Sequence, residues 1–416
     1  MNAFEVCGTI LAIAFGLLCA YQTFYIAVSL ISGKRRKKTH DRTNRRFAVL
    51  IAARNEEKVI GQLIDSVKAQ DYPYGLIDVY VAADNCTDGT VPVSLSHGAK
   101  VFVRNDTSHI GKGYVLRFLL DKIKATGKWY DAFLALDADN LLDSGYVKAM
   151  NEALSGGCDI VTGYRNSKNF GDNWISAGYS LWFLRESRLL NHARDILGTS
   201  AAVSGTGFAF TRELIERRGG WDCFLLTEDI QFTAESVLAG ERIGYAPDAV
   251  LYDEQPTDLV QSFRQRRRWV RGSLQVFAKY GKRLLRGCPR DFACYDMIVN
   301  MLSGAVAGFA GMFMGAGAAV VRLGERDVIG AVVALTLPAV SGYIGLAALG
   351  AVTTMAEWKR IRCAAKKKIM YVFTFPLFMA TYLPVCVSAL FTGGGWEPVE
   401  HRVCVSVSDI SGGDAA

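Results

Sequence analysis

Acidic side chains occur at three separate points of the chain, each directly after an apolar run or at the start of a helical pattern. They are Asp84, the pair Asp137 and Asp139, and the pair Glu228 and Asp229. A carboxylate at a strand end can accept hydrogen bonds from a ribose or a base edge. Residues two apart in extended backbone share a face, so Asp137 and Asp139 can converge on Mg²⁺ or Mn²⁺ held jointly with a diphosphate. Each pattern alone also fits ordinary structure, such as a polar turn or an acidic first helical turn.

A fourth group combines an amide, an arginine and a large aromatic ring. Gln265, Arg268 and Trp269 lie within the run Gln-Arg-Arg-Arg-Trp. A guanidinium binds phosphate through two parallel hydrogen bonds, which suits a diphosphate ligand. The alternative is a membrane-surface helix with extended arginines and a Trp anchor. Both interpretations can hold, because different faces of one amphipathic helix, or of a helix pair over residues 259–290, would serve each.

The segment between residues 47 and 258 must position these groups, and its hydrophobic period alternates between strand and helix. Such alternation predicts a mostly parallel sheet with helices on both faces, and ligands on such sheets bind beyond the carboxyl ends of the strands. The acidic groups fall at those ends. The predicted strands are 47–53, 77–83, 99–104, 132–136 and 159–163, and the clearest helices are 55–70 with Asn55 as the cap, 112–125 and 145–154.

The remaining apolar residues are concentrated in four stretches without Asp, Glu, Lys or Arg: 8–32, 297–321, 328–355 and 369–392. Each exceeds the ~20 apolar residues that a helix needs to cross a bilayer. The chain is 50% hydrophobic and 21% charged, which excludes disordered, collagen-like and secreted disulfide-rich classes. The sequence therefore predicts a multi-pass membrane protein with one soluble block, and the first stretch is expected to be a retained span.

Half of the basic charge lies beside these stretches. Residues 34–46, 259–290 and 359–368 hold 24 of the 47 Lys and Arg residues. Basic flanks stay on the cytoplasmic side, which predicts a cytoplasmic soluble block in the cell membrane. Membrane lipids with anionic headgroups are the expected partners of this charge, and no nucleic-acid partner is expected.

The order of the motifs carries a family resemblance. Asp84, the D-x-D of residues 137–139, the T-E-D of 227–229 and the Q-x-x-R-W of 265–269 precede the C-terminal apolar stretches. In this order the sequence resembles the processive, membrane-embedded family 2 inverting glycosyltransferases, which include cellulose, chitin, hyaluronan and poly-N-acetylglucosamine synthases. The resemblance covers about residues 45–290. It implies an α/β GT-A fold, Rossmann-like with a mostly parallel sheet, joined to α-helical transmembrane segments.

The resemblance also implies a role for each motif residue. The donor would be a UDP-sugar carrying N-acetylglucosamine or glucose, and the metal Mg²⁺ or Mn²⁺. The implied donor-binding residues are Glu56, Asp84, Lys112, Asp137, Gln265 and Arg268; the metal ligands are Asp139 and Asp137; the catalytic carboxylates are Asp229, the base, and Glu228; the acceptor-binding residues are Trp269, Gly205 and Gly207.

The expected organisation has five parts: an N-terminal transmembrane helix (1–33), the cytoplasmic GT-A domain (34–258), amphipathic interfacial helices (259–296), C-terminal transmembrane helices (297–392) and a tail (393–416). Pro376 and Pro384 are able to break the last span. Residues 396–401 resemble a diverged W-x-x-T-x-R gating segment, and a Trp anchor is an equal alternative.

The leading functional hypothesis is synthesis of a growing β-linked polysaccharide, with an export partner left unidentified. The alternatives are transfer of a single sugar to a lipid acceptor, giving a glycolipid, and a non-catalytic membrane scaffold.

Overall fold

The computed structural model describes residues 2–32 and 43–391. Most of the basic segment 34–46 and the tail 393–416, with the predicted gating motif at 396–401, lie outside the described residues. So do the side chains of residues 303–307.

One eight-stranded sheet forms the centre of the soluble block. Its order is β3-β2-β1-β4-β7-β6-β8-β5. The first four strands pair in parallel, as does β6 with β8, whereas β7 and β5 run antiparallel to their neighbours. The predicted parallel sheet is confirmed in its Rossmann-like half, and β5, β7 and β8 were not predicted. The strands are β1 Phe47–Ala53, β2 Ile77–Asp84, β3 Lys100–Arg104, β4 Ala132–Asp137, β5 Leu141–Leu142, β6 Ile160–Ser167, β7 Phe208–Thr211 and β8 Ile243–Asp253.

Helices cover both faces of this sheet. Apolar side chains of α2 pack on one face with alternate residues of β1, and those of α4 pack on the other, giving two separate cores. The helices of the soluble block are α2 Ile60–Lys68, α3 Thr90–Ser96, α4 Lys112–Ala125, α5 Tyr146–Leu154, α6 Trp174–Leu184, α7 His192–Leu197, α8 Arg212–Arg218 and α9 Glu228–Leu238, with a π-helix at Arg185–Asn191 between α6 and α7.

The start of the second helix differs from the prediction. Asn55 does not cap a helix: it adopts φ +60°, and its side chain accepts a hydrogen bond from Thr87 N at 2.8 Å. Glu57 accepts one from Gly89 N at 2.7 Å. The residues that look like a cap and an acidic first turn therefore bind the loop after β2 to the loop after β1, and α2 begins five residues later.

Long apolar helices stand beside the soluble block. They are α1 Ala3–Ile31, α11 Phe292–Gly324, α12 Val328–Ala356, α13 Ala365–Ala380 and α14 Tyr382–Phe391. Within the described part of the chain, α1, α12 and the segment Ala365–Phe391 are long and apolar enough to cross a membrane. The last segment is interrupted at Thr381, between Pro376 and Pro384, where the sequence predicts a break.

A single basic helix, α10 Leu259–Gly287, joins the soluble block to the long apolar helices that follow it. Arg266 on this helix is fully buried and donates to Thr381 Oγ1 at 2.6 Å. Its guanidinium also lies 4.6 and 4.9 Å from the rings of Phe378 and Tyr382. Arg266 therefore attaches α10 to the interruption between α13 and α14.

Candidate active site

The carboxyl ends of the strands open into one large cavity of about 1690 Å³. Eleven of the twelve site residues predicted from the sequence line it: Glu56, Asp84, Lys112, Asp137, Asp139, Gly205, Glu228, Asp229, Gln265, Arg268 and Trp269. They come from seven separate parts of the chain, and the fold brings them together.

Gly207 is the predicted residue that does not line the cavity. Its NH donates to Ala135 O and its carbonyl accepts from Gly163 N, so it lies within the sheet. It has φ +65°, and a Cβ atom there would stand 1.9 Å from Leu251. The positive φ and the close packing explain why this residue is a glycine. No contact with an acceptor is needed to explain it.

The first wall of the cavity is held by the loops after β1 and β2. Asp84 is 5% exposed and accepts from Arg104 Nη1 at 2.5 Å. Glu56 N donates to Thr90 Oγ1 at 2.8 Å, which fixes Glu56 at the same edge. Arg104 has no motif of its own in the sequence, although it is the ion-pair partner that holds Asp84.

Lys112 lies at the centre of the site. Its ammonium group contacts the Asp137 carboxylate and donates to Gly205 O at 2.8 Å. Burial would lower the pKa of Lys112, but the charges of Asp137 and Glu228 outweigh burial and raise this pKa. The next residue, Gly113, lets α4 approach the 223–224 backbone so closely that a Cβ would stand 1.9 Å from Cys223 O.

Glu228 and Asp229 open helix α9 beside Lys112. Burial, together with the adjacent Asp229, raises the pKa of Glu228 from 4.5 to about 7. Burial likewise raises the pKa of Asp229. Two acids in one desolvated position resist simultaneous ionisation. The pair can therefore hold or release a proton in the pH range where most proteins work.

Asp139 lies against a second carboxylate that the sequence analysis missed. Asp139 and Asp253 are both buried, and the side-chain amide of Asn140 donates to both, at 3.4 Å to Asp139 Oδ1 and 3.1 Å to Asp253 Oδ1. Arg165 contacts Asp253 and donates to Ser204 O at 2.7 Å. Burial opposes ionisation of Asp253, but Arg165 keeps its pKa below the ordinary value. Neither Arg165 nor Asp253 belongs to a short motif, so only their strand positions could have indicated them.

These carboxylates fit a divalent cation that is shared with a ligand. In the part of the chain that the structure describes, no three His, Cys, Asp or Glu side chains form a complete metal cage. Asp137 and Asp139 instead provide hard oxygen atoms on the cavity wall. Mg²⁺ is usually bound through one or two carboxylates plus phosphate oxygens, and this donor set matches that pattern.

Helix α10 closes the site on the side of the long apolar helices. Gln265 Oε1 and Arg268 Nε are buried and have no hydrogen-bond partner among the described residues. Trp269 packs edge-on against Tyr179, with ring centroids 5.7 Å apart. Gly272 lets α10 contact Thr227 of T-E-D, since a Cβ there would stand 2.4 Å from the threonine side chain. The unpartnered polar atoms indicate where a polar ligand would be held.

The cavity continues beyond α10 between the apolar helices. Its lining there is almost entirely aliphatic and aromatic, and includes Phe309, Met312, Leu335, Leu346, Leu377 and Leu383. Met312, Leu335 and Leu377 are each more than half exposed. A polar site with clustered carboxylates thus shares one chamber with an apolar compartment.

A sheet of this topology, with carboxylates and a lysine at its carboxyl edge and a Q-x-x-R-W helix above, defines a glycosyltransferase of the GT-A class. The chain belongs to the family described as Glycosyltransferase like family 2, whose model matches residues 44–272. The fold is shared with the mannosyltransferase PcManGT from Pyrobaculum calidifontis, solved with GDP-Man and Mn²⁺. That structure is 19% identical, with a TM-score of 0.57 over 93% of this chain and 99% of the other.

Several curated proteins are similar in sequence. The probable glycosyltransferase YdaM of Bacillus subtilis is 26% identical over 56% of this chain and 57% of its own. Beta-monoglucosyldiacylglycerol synthase of a Nostoc species is 28% identical over 62% and 55%. Poly-beta-1,6-N-acetyl-D-glucosamine synthase of Staphylococcus aureus is 23% identical over 61% of each. The chain thus spans between half and two thirds of the length of these relatives.

Proposed function

We propose that this protein transfers one sugar, glucose or N-acetylglucosamine, from a UDP-sugar to a hydroxyl group of a membrane lipid, with inversion at the anomeric carbon. One observation carries the proposal: the cavity that contains Asp229 continues into a chamber lined by apolar residues of the long helices. Acyl chains suit such a lining, because burial of each methylene contributes about 0.8 kcal/mol. The glycolipid synthase among the relatives supports the same acceptor class.

The donor would occupy the sheet edge. Asp84 and Glu56 would bind the uridine, while Lys112, Gln265 and Arg268 would bind the diphosphate. Asp139, with Asp137, would hold Mg²⁺ or Mn²⁺, which supplies charge neutralisation of the leaving diphosphate. The cation and the phosphates would also give Lys112 and Arg268 the counter-charges that favour their burial.

The carboxylate of Asp229 would act as the base. It removes the proton from the acceptor hydroxyl while that oxygen forms a bond to C1, and the bond from C1 to the diphosphate oxygen breaks with its electron pair. A single displacement inverts the anomeric centre and needs no covalent enzyme intermediate. Burial raises the pKa of Asp229, so this carboxylate is a stronger base than an exposed aspartate. Trp269 and Gly205 would border the acceptor.

Polysaccharide synthesis, the leading hypothesis from the sequence, is the second candidate. It is favoured by the poly-beta-1,6-N-acetyl-D-glucosamine synthase among the relatives. A hydrated glycan passing between the helices would need polar groups along its path. Among the described residues that line the chamber few are polar, with Asn300 and Tyr343 among them. The apolar lining therefore favours a lipid over an extruded polymer.

A product assay separates these hypotheses. The full chain in nanodiscs would be incubated with labelled UDP-glucose or UDP-N-acetylglucosamine and a bacterial lipid extract, and the products sized. One-sugar lipid products support the proposal, and a ladder of longer products contradicts it in favour of polymerisation. Asp229→Asn should lower transfer by about 10²–10⁴-fold. Asp222→Asn is a matched control, since Asp222 is exposed and pairs with Arg117 outside the cavity. Absence of UDP release with every donor would favour the scaffold.

A further inference from the structure

A second polar group lies in the cavity where α1 meets the soluble block. The π-helix Arg185–Asn191 begins there, and π-helical turns are frequent at functional sites. Arg185 and Trp182 line the cavity together with Phe15, Cys19 and Gln22, which follow one face of α1. No motif used by the proposed transfer reaction includes these residues.

Arg185 is buried with few partners for its charge. It is 6% exposed, donates from Nη2 to Gln22 Oε1 at 2.7 Å and lies 4.8 Å from the centre of the Trp182 ring. Its Nε has no hydrogen-bond partner among the described residues. Burial also lowers the pKa of Arg185. A guanidinium in this state is costly unless an anionic group completes its hydrogen bonds.

The nearby carboxylates are already held by another arginine. Arg194 contacts Glu186 and donates to both oxygens of Asp296 at 2.7 and 2.8 Å. Glu186 comes no closer than 3.9 Å to Arg185. Both acids therefore make their close contacts with Arg194. The close contacts of the Arg185 guanidinium are with an amide oxygen and an aromatic ring.

We infer that Arg185, oriented by Gln22, binds the phosphate of the lipid acceptor, so that the acceptor is a phosphate-bearing lipid. This inference rests on the proposed lipid-acceptor function. A guanidinium binds phosphate oxygens in a bidentate geometry, and Nε belongs to one of the two edges that do so. The apolar residues Phe15 and Met312 line the same cavity and suit the acyl chains, which distinguishes a lipid phosphate from a soluble one.

Lipid binding without any sugar donor tests the site. Affinities of the detergent-solubilised full chain would be measured by titration calorimetry for dioctanoyl phosphatidylglycerol, dioctanoylglycerol and inorganic phosphate. We expect Arg185→Gln to weaken binding of the phospholipid at least tenfold and to leave dioctanoylglycerol unchanged, and we expect inorganic phosphate to bind far more weakly than the phospholipid. Arg212→Gln is a matched control, because Arg212 also lies over a Trp ring, 3.7 Å from Trp129, but outside the cavity.

Several results would overturn the inference. Equal phospholipid affinity in wild type and Arg185→Gln is one, and binding of inorganic phosphate as tight as that of the phospholipid is another. A loss of UDP affinity in Arg185→Gln, with phospholipid binding intact, would assign Arg185 to the donor. If Arg185→Gln does not fold, Gln22→Leu decides, since loss of the oxygen that orients Arg185 should weaken phospholipid binding and leave UDP binding unchanged.

The proposed phosphate site and the proposed function can each fail without the other. Arg185-dependent phospholipid binding in a protein that forms only polymer would contradict the proposed acceptor and keep the site. Transfer by wild type to a phosphate-free diacylglycerol as fast as to phosphatidylglycerol, with phospholipid binding unchanged in Arg185→Gln, would keep the proposed function and refute the site.

Discussion

Replacing Glu228 by glutamine tests the electrostatics of the site most directly. The pKa of this buried carboxyl is raised from 4.5 to about 7, so the folded protein disfavours its ionised form. A raised carboxyl pKa means that the folded state binds more protons than the unfolded state between these two values. Folding stability is therefore lost as the pH rises from about 4.5 through about 7. Glutamine keeps the shape and removes this titration.

The size of the effect follows from the two pKa values. Each pH unit between them corresponds to about 1.4 kcal/mol, which gives about 3 kcal/mol once Glu228 is ionised in both states. Most of this difference develops between pH 5 and pH 8. Glu228→Gln should therefore be more stable than wild type at pH 8, and much closer to it at pH 5. Lys112 stabilises the ionised Glu228, and the raised pKa already includes that attraction.

Thermal unfolding in detergent measures this at both pH values, with Glu216→Gln as the control because Glu216 is exposed and pairs with Arg212 on α8. If the variant gains no stability relative to wild type from pH 5 to pH 8, the reasoning about this pair is wrong.

Two further substitutions test the packing around the site. Gly113→Ala should lower the free energy of unfolding by about 1–3 kcal/mol despite the better helix propensity of alanine, because the new methyl group meets the Cys223 carbonyl at 1.9 Å. The measured Tm should fall and the KM for the donor should rise. An unchanged KM would contradict the close approach. Arg266→Leu should lower the free energy of unfolding by about 2–4 kcal/mol, because it removes the hydrogen bond to Thr381 and the cation among aromatic rings. A Tm equal to that of wild type would show that α10 is held by other contacts.

Local sequence patterns were sufficient to predict those helices and strands whose bounds depend on their own residues. The helix predicted over 112–125 is observed as Lys112–Ala125, because its apolar positions recur at helical spacing and a glycine precedes it. The strand runs 47–53 and 77–83 were recognisable because strands buried on both faces are continuously apolar. The motif residues met at one edge because parallel strands end on the same side.

The remaining features depend on contacts between distant segments. Asn55 has the chemistry of a helix cap, but a backbone NH of another loop uses its side chain. Arg165 and Asp253 pair across 88 residues of sequence, and neither lies in a recognisable motif. In Gln-Arg-Arg-Arg-Trp, helical periodicity places Gln265, Arg268 and Trp269 on one face. Only the position of the break at Thr381 reveals that Arg266 points toward α13 and α14 and not into the cavity.

The attachment of Arg266 to Thr381 couples α10 to the apolar helices α13 and α14. Helices that are longer or shorter than the local hydrocarbon thickness adjust by tilting or bending, and the interruption between α13 and α14 is where bending costs least. Any such adjustment would be transmitted through Arg266 to Gln265 and Arg268, which lie within one turn on the same helix. In a bilayer, a change in hydrocarbon thickness would therefore alter the spacing between the cavity's two walls, and with it how tightly the site holds its ligand.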